Sequence, residues 1–174
     1  MRSPFMTIEE FIALMEDTAS PAEAGQIEAF EAELGSPLPD DYRQFLSRVN
    51  GGFIPGWYGF HGPTSGGDPW PFVHHVLGFR EEMHLSLRFH RGCCLSGETP
   101  FPPALLWVMD DPGGNGICIG LEGEHRGRVY FWIHDETPDP AEWDGALETA
   151  ENVRLLADSF TGFIAGIGPR GATE

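Results

Sequence analysis

The sequence predicts an α+β fold: a single domain in which N-terminal helices and a C-terminal helix pack around one twisted, largely antiparallel sheet. Three observations carry this. The first 52 residues hold three apolar patterns of helical period, the stretch 104–134 holds three short β-branched and aromatic runs separated by turns, and the last apolar pattern returns to helical period. Helical and strand-forming stretches are segregated rather than alternated, which favours α+β over a wound parallel sheet.

Taken in order, Thr7 with Glu10 three residues on forms a capping box, and Ile8, Phe11, Ile12 and Met15 follow at helical spacing. Ser20, Pro21 and Glu23 signal a second helix with Ile27, Phe30 and Leu34 on its apolar face, ended by Gly35. Pro39-Asp40-Asp41 opens a third, since proline needs no donor there and carboxylates favour the positive end of the helix dipole. Tyr42, Phe45, Leu46 and Val49 point inward, and Asn50-Gly51-Gly52 is expected to stop this helix.

Between Phe53 and Trp70, Pro55-Gly56 and Gly66-Gly67 mark turns in an ordered loop with one short strand. Residues 73–79 have strand composition, and 81–91 fits either helix or irregular structure. Strands are expected at 104–109, 117–121 and 128–134, joined as an antiparallel meander. In the last, Val129, Phe131 and Ile133 share one face while Tyr130, Trp132 and His134 share the other, so the second face is either covered or an exposed aromatic surface. Val153, Leu156, Phe160, Phe163, Ile164 and Ile167 predict a C-terminal amphipathic helix ending before Gly168-Pro169.

A chain of 174 residues is expected to bury roughly 70% of its unfolded surface and so needs neither disulfide nor metal to fold. Three cysteines, Cys93, Cys94 and Cys118, make an odd count without disulfide-framework spacing, and the N-terminus lacks the basic-then-apolar pattern of a signal peptide. No run reaches the roughly 18 apolar residues of a membrane span, so a cytoplasmic protein without membrane association is expected. The net charge of −17 arises without a single lysine and lies mainly in two blocks, residues 1–41 and 110–151. Such a field repels phosphate backbones, which argues against direct nucleic-acid binding, and attracts basic proteins.

Signals for catalysis fail one by one. Gly113-Gly114-Asn115-Gly116 lacks the third glycine and following helix of a dinucleotide loop, and is a tight turn instead. Ser96 and Ser159 lack the flanking glycines of a nucleophile elbow. His74-His75 and His134-Asp135-Glu136 offer metal-ligating groups without HExxH or CxxC spacing. Cys93-Cys94 is read as structural, and paired carboxylates such as Asp110-Asp111 follow from composition. No catalytic residue, metal or cofactor is therefore expected.

Two stretches resemble the SUKH superfamily, which includes fungal cell-wall-synthesis regulators and bacterial immunity proteins. The first is Ile27-Glu28-Ala29-Phe30-Glu31, Leu34-Gly35, then Leu38-Pro39-Asp40-Asp41-Tyr42-Arg43-Gln44-Phe45-Leu46, closing on Asn50-Gly51-Gly52. The second runs from Asp110-Asp111-Pro112-Gly113-Gly114-Asn115 through Arg128-Val129-Tyr130-Phe131-Trp132-Ile133-His134-Asp135-Glu136 to Ala157-Asp158-Ser159-Phe160. The signature occupies about 20–167, with 56–103 a variable region, inside one domain covering 1–174. Ile133 departs from the acidic residue that similar proteins often place before the histidine.

The resemblance implies the same α+β fold and function by binding rather than catalysis. As an immunity protein the chain would neutralise a cognate protein toxin, including a basic nuclease, through an acidic and aromatic surface; the alternative is a regulatory or scaffold interaction module. The meander's turns and strand ends are expected to gather Asp110, Asp111, Glu122, Glu124, Asp135 and Glu136 at one partner-binding rim.

Overall fold

The computed structural model describes residues 5–61 and 71–169. The turn expected at Gly66-Gly67, Trp70 and the last few residues lie outside them. Helix α1 (Ile8–Leu14) carries the expected capping box: Thr7 Oγ1 accepts from the Glu10 N–H, and Glu10 accepts from the Thr7 N–H. Helix α2 (Ala24–Leu34) starts later than Ser20-Pro21 predicts. Its cap is Glu23, which exchanges hydrogen bonds with Gln26, and it ends on Gly35 in the left-handed region at φ 69°.

Helix α3 (Asp40–Leu46) begins where Pro39 places it and stops well before Asn50-Gly51-Gly52. Those three residues act on tertiary structure instead. Asn50 Oδ1 accepts the Phe79 N–H, and its own carbonyl accepts from the Ala19 N–H. Gly51 has φ 69°, and a Cβ on Gly52 would lie 2.6 Å from the Glu16 carbonyl oxygen.

The sheet is six-stranded in the order β1-β3-β4-β5-β6-β7. Its strands are β1 (Gly52–Phe53), β3 (His75–Val76), β4 (Leu105–Asp110), β5 (Gly116–Gly120), β6 (Val129–Trp132) and β7 (Val153–Ala157). All five pairings are antiparallel. The expected meander is β4-β5-β6, and the run at 73–79 contributes only the two residues of β3. A small second sheet pairs β2 (Tyr58–Phe60) with β8 (Ile167–Pro169), and helix α4 (Leu87–Leu95) follows a 3₁₀ turn at Met83–Leu85.

The C-terminal pattern is where tertiary structure overrides period. Val153 and Leu156 belong to β7, and α5 (Phe160–Ala165) holds only the second half of the predicted helix. Without β7 the outer edge of β6 would leave its main-chain polar groups unpaired; the register Tyr130↔Leu155 and Trp132↔Val153 satisfies them. Ser159 then caps α5 by accepting from the Gly162 N–H.

One face of the sheet packs Leu106, Val108, Met109, Ile117, Ile119, Val129, Phe131 and Ile133 against α1, α2, α3 and α5. Phe160 of α5 is its keystone, with ring centroids 5.1 Å from Tyr42 and 5.0 Å from Phe45. The second face is covered too: Phe101, Leu105, Cys118, Tyr130, Trp132 and Leu147 form a separate cluster, leaving Tyr130 and Trp132 only 7% and 3% exposed. The aromatic face of β6 is thus core, with His134 beyond it exposed.

Candidate functional site

The six carboxylates expected at one rim are divided between two ends of the meander. Antiparallel pairing puts Asp110, Asp111, Asp135 and Glu136 at the β4–β5 turn end, and Glu122 and Glu124 beyond the far end of five-residue β5, about 15 Å away.

At the first end most carboxylates are already engaged. Asp111 is 8% exposed, accepts from both the Asn115 N–H (2.8 Å) and the Asn115 Nδ2 (3.0 Å), and so closes the turn rather than facing solvent. Asn115 Oδ1 in turn accepts the His134 N–H at 3.0 Å, tying this turn to the end of β6. Asp135 is exposed and sits 2.9 Å from His134 Nε2, while Glu136 pairs with Arg154 at 3.1 Å.

Asp110 faces histidines. A register shift between Trp107 and Met109 lets Val108 and Met109 both enter the main core and resets the alternation before Asp110. Its carboxylate accepts from the His75 N–H (2.9 Å) and contacts His75 Nδ1 (2.9 Å), with His74 Nδ1 at 3.8 Å. Burial, then the adjacent His75, lowers the pKa of His74 and favours its neutral imidazole. His74, His75 and Asp110 can bring one ligand atom each within 4.8 Å of one another. Sequence spacing concealed the trio because Asp110 lies 35 residues from His75 and reaches it through sheet pairing.

At the opposite end, Glu122 and Glu124 are exposed on a 3₁₀ turn (Gly123–His125) that rims an open groove of about 640 Å³. The groove is completed by Pro103, Leu147 and Glu148. His125 braces it, with Nδ1 2.7 Å from the Tyr130 hydroxyl and Nε2 2.8 Å from Glu148. Hydrogen bonding by its own backbone N–H, then by His125, holds the Glu148 carboxyl below its ordinary range. Arg126 fixes the turn by donating to the carbonyls of Leu38 and Leu121, leaving its charge facing main chain rather than these glutamates. Glu148 is the residue that sequence reasoning missed; its only signal was membership in the acidic block 110–151.

Arginine compensation is uneven. In the N-terminal half Arg43, Arg48, Arg80 and Arg88 pair with Glu31, Glu9, Glu82 and Glu33. Of the carboxylates between 110 and 151, arginine ion pairs among the described residues reach only Glu136. The groove therefore exposes Glu122, Glu124 and Glu148 with no arginine ion pair among the described residues, Glu148 being held by His125.

A second concavity, about 460 Å³, lies between Cys93, Cys94, Phe101, Trp107, Trp132 and His134. Burial pushes the Cys94 thiol up to about 12, so it stays protonated at neutral pH, and Cys118 is pushed up in the same direction by full burial. All three cysteines are free thiols; Cys118 and Cys94 pack as small apolar groups, while Cys93 is exposed. No described helix is long and apolar enough to cross a membrane.

The signature residues mostly build the fold. Glu31 accepts from the Leu38 N–H and Arg43 Nε, locking α2 to α3, and Asp41 Oδ2 accepts from the Thr161 N–H at the start of α5. Comparison with known proteins bears on the family resemblance. The profile of the SMI1 / KNR4 family (SUKH-1) matches residues 21–166. Among curated proteins, the SPbeta prophage-derived uncharacterized protein YokK of Bacillus subtilis (strain 168) is 23% identical over 150 residues, covering 80% of this chain and 71% of that protein. No solved structure matches.

Proposed function

Because this chain belongs to the SMI1 / KNR4 family (SUKH-1), we propose that it acts by binding rather than catalysis, as an immunity protein that neutralises a basic protein toxin. The observation that carries this is the acidic groove: Glu122, Glu124 and Glu148 around an open concavity, none of them paired with an arginine among the described residues. Uncompensated carboxylates of this kind steer a cationic surface into contact and raise the association rate above that of a neutral pair. A toxin that acts on nucleic acid must carry such a cationic surface, because phosphate binding demands it.

Within the six carboxylates selected from sequence, Glu122 and Glu124 make first contact, Glu148 joins them, and Asp135 adds a second exposed charge at the other end. Asp110 and Asp111 serve the turn and the neighbouring histidines. The reading is tested by co-expressing the chain with the product of its neighbouring gene. Rescue of growth together with a stoichiometric complex is expected; a toxic neighbour that is neither bound nor silenced overturns the immunity reading.

A further inference from the structure

The histidines at the β3 end of the sheet form a constellation that sequence spacing does not reveal and that toxin binding does not use. His74 and His75 are adjacent in the chain, so a regular strand would send them to opposite faces. Their ring centroids instead lie 3.9 Å apart, and His84 brings a third ring to 5.1 Å from His75. His74 and His75 both face Asp110, and no arginine ion pair among the described residues reaches that carboxylate.

The framework beneath them is fixed. The His74 N–H donates to the Asp110 carbonyl, the His75 N–H to the Asp110 carboxylate, and the His74 carbonyl accepts from the Ile54 N–H. Phe53↔His75 on one side and Val76↔Met109 on the other hold the segment between β1 and β4. Ligands mounted on paired strands are held more closely to a working geometry than ligands on a loop. His75 and Asp110 are half-buried or better, at 23% and 15% side-chain exposure, while His74 remains open to solvent at 43%.

We propose that His74, His75 and Asp110 form a binding site for one borderline divalent cation, Zn²⁺ being the best match, with the fourth position open to solvent on the exposed His74 side. Two imidazoles and a carboxylate suit this class, whereas an all-oxygen set would suit calcium or magnesium. Tetrahedral ligands about 2.0–2.2 Å from the metal place their donor atoms about 3.3–3.6 Å apart. The observed spread, within 4.8 Å, closes to that by a side-chain rotation that moves the donor atom of the exposed His74 by about 1 Å. On binding, the cation replaces the contact between His75 Nδ1 and Asp110, and the imidazole N–H lies on Nε2.

The test uses the full chain, stripped of metal by chelator dialysis and titrated with Zn²⁺ by calorimetry, and with Co²⁺ by absorption spectroscopy. One Zn²⁺ per chain is expected, with Co²⁺ bands free of thiolate charge transfer, since Cys93 and Cys94 take no part. Asp110→Asn is expected to weaken binding at least ~10-fold, as even the loss of an outer partner does. Asp110 also supports the turn, so His74→Ala, on the exposed side, supplies the second variant: it is expected to keep the wild-type melting temperature without metal and lose the same affinity. Failure of the wild-type chain to bind stoichiometrically, thiolate bands with Co²⁺, or a His74→Ala affinity within tenfold of wild type would each overturn the proposal. None of these outcomes bears on the acidic groove, which lies at the opposite end of the meander.

Discussion

Single residues in the signature act by geometry that only the fold explains. Gly52 is the clearest: any Cβ there meets the Glu16 carbonyl at 2.6 Å, at a backbone φ of 148° that side chains avoid. Gly52→Ala is expected to cost at least ~2 kcal/mol in denaturant unfolding. Gly25, inside α2 with open space around it, is the control: Gly25→Ala is expected to stabilise by about 0.5–1 kcal/mol. Gly78 behaves like Gly52, since a Cβ there would strike Asn50 Oδ1 at 2.5 Å.

Charge at this scale is legible through Glu82, whose two carboxylate oxygens receive Nε and Nη2 of the largely buried Arg80. That hydrogen bonding lowers the Glu82 pKa from its ordinary 4.5 to about 2. A depressed folded-state pKa means the contribution to stability is complete above pH 4.5 and is lost as pH falls toward 2. Glu82→Gln is therefore expected to melt below the wild type at neutral pH, with the gap in melting temperature closing through that window. A gap that stays constant would assign the difference to packing instead.

Among the elements, most local stops and starts and the β4-β5-β6 meander could be read from sequence, whereas the Ser20-Pro21 start, the Asn50-Gly51-Gly52 stop and the edge strand β7 could not. The Thr7 capping box, the Gly35 stop and the Pro39 start all act within a few residues, and they fall where the sequence puts them. The stretch from Val153 satisfies helical spacing and still becomes β7, because an unpaired edge of β6 outweighs a small difference in intrinsic propensity. The same reason hid the candidate sites. Hairpin ends decide which carboxylates meet, so Glu122 and Glu124 joined Glu148 rather than Asp110, and the histidines found Asp110 across β3–β4. At this scale Ser159→Ala removes the α5 cap and is expected to cost about 1 kcal/mol. Hydrogen exchange is expected to show β7 amides protected from the Val153 end through Leu155; exchange at the rate of a frayed helix there would contradict the assignment.

For the molecule as a whole, the sheet is covered on both faces, so its aromatic residues build core and the surface is left to charge. In the N-terminal acidic block Glu9, Asp17, Glu31 and Glu33 are paired with Arg48, Arg80, Arg43 and Arg88, whereas in the block 110–151 arginine ion pairs among the described residues reach only Glu136. On the proposed reading a cationic partner makes first contact at the Glu122 end, and that attraction is strongest at low ionic strength, where charges interact over ~30 Å rather than ~8 Å. The most direct test is the association rate of the neighbouring gene product with the wild-type chain and with the triple variant Glu122→Gln, Glu124→Gln, Glu148→Gln, measured by stopped flow across a salt series. The account predicts a rate that falls steeply with salt for the wild type and is at least ~10-fold slower and nearly salt-independent for the variant. Equal rates with equal salt slopes would contradict it and move the binding surface away from the groove.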